Sequence, residues 1–391
     1  MSFTLATIKT ASGPRAAMVV GDRVLDIAAA TGNPQDASML HVMATWADIL
    51  PRLDALVGKA QTSGVPLAEA DLLAPILNPG AIFCAGSNYG DHAAEMAARS
   101  GQPAPPDPHT LGLRSWHFMK TMHCIVGPGA TVTMQPRSQK IDWEIELALI
   151  IGKTARNVSE ADALDYVAGY MIANDLSARD LGARPGLPAT SSFKNDWIAH
   201  KNWDGSCPLG PWITLARDIP NPHDLKMVLE VNGVVKQDSN TKHMIFNINE
   251  QIADLSRNFT LHPGDIILTG TPAGVGAGRG EFLNKGDVVK LHIDHLGEMA
   301  NTRACGLVGR GLGPDAPPRH ASRGGPPHEG EGMKSKSPPL QGGGLRRFTA
   351  SEFRRAGSCR RGNARPAGRD ARIRQSSRRR ASRGQRLRAR R

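Results

Sequence analysis

Aromatic residues are scarce in this 391-residue chain, 5% in all with three tyrosines, and long apolar runs are absent. No stretch approaches the ~20 apolar residues of a membrane-spanning helix, and the opening "MSFTLATIKTASG" has no apolar segment behind a basic one. Its five cysteines, Cys84, Cys124, Cys207, Cys305 and Cys359, form no CxxC pair and no metal-binding spacing. The simplest reading is free thiols in a reducing compartment, and the expectation is a cytoplasmic protein with no membrane partner.

What is present is a 40% hydrophobic composition, enough for a sizeable core in one large domain or two ordinary ones. The net charge of +12 invites a nucleic-acid or membrane partner, but it is unevenly spread. From Ala304 onward there are 23 Lys and Arg against 5 Asp and Glu, so residues 1–303 carry 25 against 31 and are mildly acidic. The tail, with "GRGLGPDAPPRHASRGGPPHEGEG" and "RRRASRGQRLRARR", shows no hydrophobic period and almost no β-branched or aromatic residues, so residues 304–391 are expected to be disordered. A basic arm for RNA, DNA or acidic lipid is one reading. The preferred one is frameshifted or read-through translation of GC-rich DNA, because the stacking aromatics of nucleic-acid grooves are missing.

In the remainder, "FTLATI", "RAAMVV" and "RVLDIA" alternate like strands around a Gly-Asp turn, and helical spacing runs from about Asp36 to Val57. A Pro/Gly-rich link, "LLAPILNPG", closes this small β-rich unit, residues 1–78. Beyond it "AIFCAGSNYG" reads as a buried strand, and "DHAAEMAARSG" as a short helix with Asp91 as N-cap and Gly101 as stop. "VLEVNGVVKQ" is a hairpin around Asn232-Gly233. Many short strands with few helices point to a β-rich sandwich or barrel-like domain over 79–303.

The chemistry concentrates in "KIDWEIELALIIGK", residues 140–153. As one extended strand it places Asp142, Glu144 and Glu146 on one face, with Ile141, Trp143, Ile145 and Leu147 on the other. Like charges at that spacing cost stability unless water or a cation compensates them. Since "LALIIG" soon becomes buried on both faces, a hard divalent cation answers the problem, and oxygen-only ligands favour Mg²⁺, Mn²⁺ or Ca²⁺ over zinc. The alternative is an edge strand charged against aggregation. A second segment, "GYMIANDLSARD", offers Asp175 at a strand end as a third oxygen ligand, against the reading of a helix N-cap or Asx-turn.

In order along the chain, "AGSNYGDHAAEM", "FMK" before "VGPGATV", "DWEIELALIIGK", "GYMIANDLSARD", "KNWDGSCPLGPW" and "LTGTPAGVG" resemble the fumarylacetoacetate hydrolase family over about residues 80–303. The resemblance implies a mixed β-sandwich roll, β-rich α+β in class, with a small N-terminal β-rich domain, a homodimer, and Mg²⁺ or Mn²⁺ held by Glu144, Glu146 and Asp175. Asp142 would then stand behind the ligands or anchor backbone. It also implies a His92–Glu95 pair that activates water, with Lys120 and Lys201 pointing into the site. Arg179, Thr271, Asn88 and Tyr89 would bind substrate, Arg179 by a bidentate grip on a carboxylate. The implied activity is hydrolysis of a carbon-carbon bond in a 2,4-dioxo acid, such as an acylpyruvate, a fumarylpyruvate or a diketo-deoxy sugar acid, to pyruvate and a carboxylic acid. The other outcome on the same fold is an isomerase or decarboxylase like those acting on 2-hydroxyhepta-2,4-diene-1,7-dioate. One departure stands out: three positions after the arginine, where several members carry a polar residue, this chain has Gly182, which leaves Lys194 or Asn195 as candidates to orient water or enolate.

Overall fold

The computed structural model describes residues 2–304, and the expectations for the basic tail lie outside the described residues. Its architecture rests on a long mixed sheet. From one edge the strands run Val65–Pro66, Arg23–Asp26, Gly13–Val20, Thr4–Thr10, Cys207–Leu215, Val167–Asn174, Ile145–Ile151, Ile266–Leu268, Ile82–Ala85 and His117–Lys120. A second sheet of five strands runs Val234–Asn240, Lys226–Val231, Val288–Ile293, Gly297–Ala304 and Thr131–Thr133. The sheet-rich layout with few helices is the β-rich α+β class implied by the resemblance.

The two-residue period of a strand sets the layers. In Ile145–Ile151, Leu147, Leu149 and Ile151 point into one core with Met227, Leu229, Leu291 and Ile293 of the five-stranded sheet. Ala148 and Ile150 point the other way, into a core shared with Phe3, Leu5, Met18 and the helical Trp46, Ile49 and Leu53. Burial on both faces explains why this run is continuously apolar.

The N-terminal strands fall where the alternation places them. Thr4 and Leu5 pair with Thr214 and Ile213, so these strands extend the main sheet. The helices Met39–Ala44 and Trp46–Ser63 cover its face. The Asn232-Gly233 hairpin forms with both residues left-handed, at φ of 54° and 77°.

The opening of the carboxylate strand differs from expectation. Ile141–Asp142 pairs only with Ser177–Ala178, and the main-sheet strand starts afresh at Ile145. Side chains replace the ladder between them. The Asn174 side-chain oxygen accepts from Glu144 N at 3.0 Å, the Gln237 side-chain oxygen accepts from Ile145 N at 3.0 Å, and Asp175 N donates to Glu144 O at 2.9 Å. The edge-strand alternative also falls: Ile145–Ile151 is flanked on both sides, by Val167–Asn174 and Ile266–Leu268.

Candidate metal centre and active site

Glu144, Glu146 and Asp175 are all buried, and an oxygen from each lies within 4.8 Å of the others. Glu146 projects from the strand Ile145–Ile151, and Asp175 directly follows the neighbouring strand Val167–Asn174. The antiparallel pairing of Ile145 with Asn174 therefore brings Glu146 beside Asp175, 29 positions on. Asp175 caps no helix; its carboxylate accepts from Lys120 Nζ at 2.8 Å and from Lys201 Nζ at 2.6 Å. Lys201 Nζ also reaches Glu144 at 2.7 Å. Both lysines are buried and held charged by these partners, against a burial effect that alone would lower them.

The three carboxylates differ electrostatically. Burial works against the charge on Glu144, but Lys201 and Arg179 overcome it and hold the group well below the usual carboxylate range. Burial pushes Glu146 up, and the Asp175 and Glu144 charges push it further, well above that range. Among the described residues it accepts one hydrogen bond, from Gly270 N at 2.7 Å. Four buried carboxylates, counting Asp142, face the cations Lys120, Lys201 and Arg179, so that ionising Glu146, as a metal ligand must be, leaves one excess negative charge. An all-oxygen donor set with a residual anionic charge fits a divalent cation of the Mg²⁺ or Mn²⁺ type, held by Glu144, Glu146 and Asp175.

Asp142 is assigned by its contacts. It accepts from Gly276 N at 2.6 Å, Ala277 N at 2.9 Å and Trp143 N at 2.8 Å, and binds Arg179 Nε at 2.7 Å. It pins the loop after residue 270 to the strand opening and holds Arg179 in place. Arg179 also contacts Glu144 through Nη2. That edge of the guanidinium is thereby used, which leaves Nη1 and the second Nη2 hydrogen as its remaining donors.

A pocket of about 80 Å³ opens beside this cluster, lined by His92, Glu144, Glu146, Arg179, Lys201 and Thr271 and walled by Trp116, Phe118, Trp197 and His200. The helix Gly90–Arg99 supplies the His92–Glu95 pair, three residues apart on one face. Asp91 is not its N-cap: the helix starts one residue earlier, after Tyr89, and Asp91 accepts instead from His92 N at 2.7 Å. His92 Nδ1 is 3.7 Å from Glu95, an ion-pair separation too long for a hydrogen bond. Burial would raise the Glu95 carboxyl, but His92 and Gly274 N, at 3.1 Å, leave it lowered and ionised.

Asn88 and Tyr89 stand apart from the pocket. Asn88 donates to Phe246 O and Thr269 O and accepts from Phe246 N, all within 2.9 Å, which occupies its amide with backbone. Tyr89 is fully buried in the core, with its hydroxyl against Met227. Lys194 donates to Arg184 O, and neither it nor Asn195 lines the pocket.

Gln237 was missed by the sequence reading. It joins Ile145 N to Thr271 Oγ1 at 2.9 Å and Pro272 O at 2.8 Å, tying the strand of Glu146 to the Thr271 loop. Its only sequence signal was a polar residue at the inward position of the Val234–Asn240 strand. Gly270, whose amide binds Glu146, has φ of +97°, and a Cβ there would lie 2.8 Å from Asn88 Cβ. Gly270→Ala is expected to cost about 1–3 kcal/mol of stability, measurable by denaturant unfolding.

Comparison with known proteins converges on one group. The fumarylacetoacetate (FAA) hydrolase C-terminal domain matches residues 81–303. A mitochondrial oxaloacetate tautomerase of Rattus norvegicus is 39% identical over 244 residues, 62% of this chain and 72% of its own. A Homo sapiens counterpart is 41% identical over 245 residues, again 62% and 72%. Among solved structures, a maleylpyruvate hydrolase from Sphingobium in complex with manganese(II) and pyruvate is 32% identical, with 77% of this chain and 99% of that one covered and a TM-score of 0.60. A 2-hydroxyhepta-2,4-diene-1,7-dioate isomerase from Mycobacterium marinum gives 30%, 78%, 99% and 0.58. No helix among the described residues is long and apolar enough to cross a membrane. With the domain matched over most of residues 79–303 and the carboxylate triad assembled within it, the chain belongs to the fumarylacetoacetate hydrolase family.

Proposed function

We propose that this chain is a divalent-cation-dependent enzyme that interconverts the keto and enol forms of a 2-oxo dicarboxylic acid of the oxaloacetate type. The observation that carries the reading is the buried triad Glu144, Glu146 and Asp175, of which Glu144 and Glu146 line a pocket together with Lys201 and Arg179. The two relatives of about 40% identity, named oxaloacetate tautomerases, support the substrate type.

A bound Mg²⁺ or Mn²⁺ would supply Lewis acidity toward the 2-oxo oxygen and favour the enolate. The chain's own groups do the rest. Lys201 and Arg179 offset the substrate's negative charge, and the buried Lys120 fixes Asp175 and the Lys201 backbone from behind. Thr271 Oγ1, accepting from Gln237, keeps its proton to donate toward a carboxylate. His92, with Glu95 ionised beside it, can take and return the proton that moves between oxygen and C3.

The His92–Glu95 pair also favours a second reading, the hydrolysis of a 2,4-dioxo acid to pyruvate and a carboxylic acid, because activating water needs such a base. The solved maleylpyruvate hydrolase supports it. The deciding experiment strips the protein with chelator, restores Mg²⁺ or Mn²⁺, and follows both the ultraviolet absorbance of enol-oxaloacetate and pyruvate release from acylpyruvates. Metal-dependent acceleration of the oxaloacetate equilibration is expected; its absence overturns the first reading. His92→Ala is expected to reduce any hydrolysis by about 10²-fold or more while metal binding stays intact.

A further inference from the structure

His92, Lys201, Arg179 and Thr271 leave one wall of the pocket without an assigned polar group, and His200 stands there. It belongs to the short helix Trp197–Lys201, one residue before the lysine that bridges Glu144 and Asp175. Its ring lies 5.4 Å from that of Trp197, which packs against Trp116 at 5.0 Å and Phe118 at 5.4 Å. Across from it is Gly182. A Cβ on Gly182 would fall 3.1 Å from His200 Nδ1 and 3.2 Å from Cγ. Gly182 has φ of −68° and ψ of −27°, ordinary right-handed backbone open to any residue. Any side chain at Gly182 would therefore press on the imidazole and make it give by a few tenths of an ångström, so the two positions are coupled through space.

The ring is also under-used. Nε2 is buried and has no hydrogen-bond partner among the described residues. Native proteins rarely leave such an atom unpaired without a ligand or water to meet it. Burial, reinforced by the Lys201 and Arg179 charges, pulls His200 down to about 3, so at neutral pH it keeps one N–H and one lone pair.

We propose that His200, given room by Gly182, is a substrate-contacting residue that hydrogen-bonds the bound oxo acid on the aromatic side of the pocket. An imidazole suits a substrate that changes tautomer, since it can donate to a carbonyl oxygen and accept from an enol hydroxyl. The inference rests on the oxo-acid reading above.

The test is a double-mutant cycle on the full chain loaded with Mn²⁺. His200→Ala is expected to raise KM for oxaloacetate at least tenfold, with the Mn²⁺ dissociation constant and the melting temperature unchanged. Gly182→Ala alone should do the same by displacing the ring, and should add nothing in the His200→Ala background. His200→Gln should recover part of the loss. A KM within twofold of wild type in His200→Ala, or an undiminished Gly182→Ala effect in that background, overturns the proposal. If the wild-type chain binds oxaloacetate by calorimetry without turning it over, the activity reading fails and the same cycle is scored on affinity. If it does not bind, both fail.

Discussion

Glu146→Gln is expected to abolish the thermal stabilisation that Mg²⁺ or Mn²⁺ confers, while the metal-free protein stays at least as stable as wild type. Among the described residues Glu146 is the ligand carboxylate without an ion pair: its partner is Gly270 N, and Asp175 and Glu144 crowd it. A glutamine oxygen can still accept from Gly270 N, and the neutral amide stands in for a carboxyl that its neighbours already push toward the neutral form. The cost therefore appears only when metal is added. A ligand present at 100 times its dissociation constant stabilises the folded state by about 2.7 kcal/mol, and that increment should vanish. Turnover should fall by about 10³-fold, since Lewis-acid assistance contributes several kcal/mol. Melting curves with chelator and with saturating metal check both halves. A metal-induced shift that survives in Glu146→Gln would remove Glu146 from the ligand set.

Lys120→Met is expected to act in the opposite sense, destabilising the metal-free fold by about 3–5 kcal/mol, the range for breaking one side of a buried ion pair. The lysine is buried with its ammonium on Asp175, on Leu176 O at 3.3 Å and on Lys201 O. Methionine fills similar volume but leaves Asp175 to Lys201 alone, and leaves the Lys201 carbonyl at the end of the Trp197–Lys201 helix with Ser206 Oγ, at 3.0 Å, as its donor. Part of the loss should be recovered on adding divalent metal, because a cation at the triad restores charge balance around Asp175. Denaturant unfolding with and without Mg²⁺ measures it. A loss below about 1 kcal/mol, the scale of an exposed pair, would show that Lys120 is not structurally coupled to the triad.

Much of the site is visible in the linear order because its chemistry follows local periods. Alternation places Glu144 and Glu146 on one face, and i, i+3 spacing places His92 and Glu95 together on a helix. The positions that lie away from the pocket depend on long-range packing. Asn88 and Tyr89 sit beside the motif residues in sequence, yet Phe246 and Thr269 claim the Asn88 amide and Met227 covers Tyr89. Gln237 shows only as a polar residue at an inward strand position, and His200 carries no local signature. Gln237 matters because its hairpin lies against the strand of Glu146, and His200 because Gly182 leaves it room.

By itself, then, the sequence determined the strand pattern, the apolar core of the central strands and the acidic ligand candidates, while the His92–Glu95 pair came from the family resemblance. The first three follow from backbone periodicity and from residue chemistry, which act over a few positions. Only the tertiary structure decided that Asp142 anchors the loop at Gly276 and Ala277, that one edge of Arg179 is held by Asp142 and Glu144, and that Lys120 and Lys201 neutralise Asp175. Which carboxylates are neutralised and which remains open to a cation depends on charges brought together from distant segments, and the Coulomb energy of that cluster has no counterpart in the order of residues along the chain.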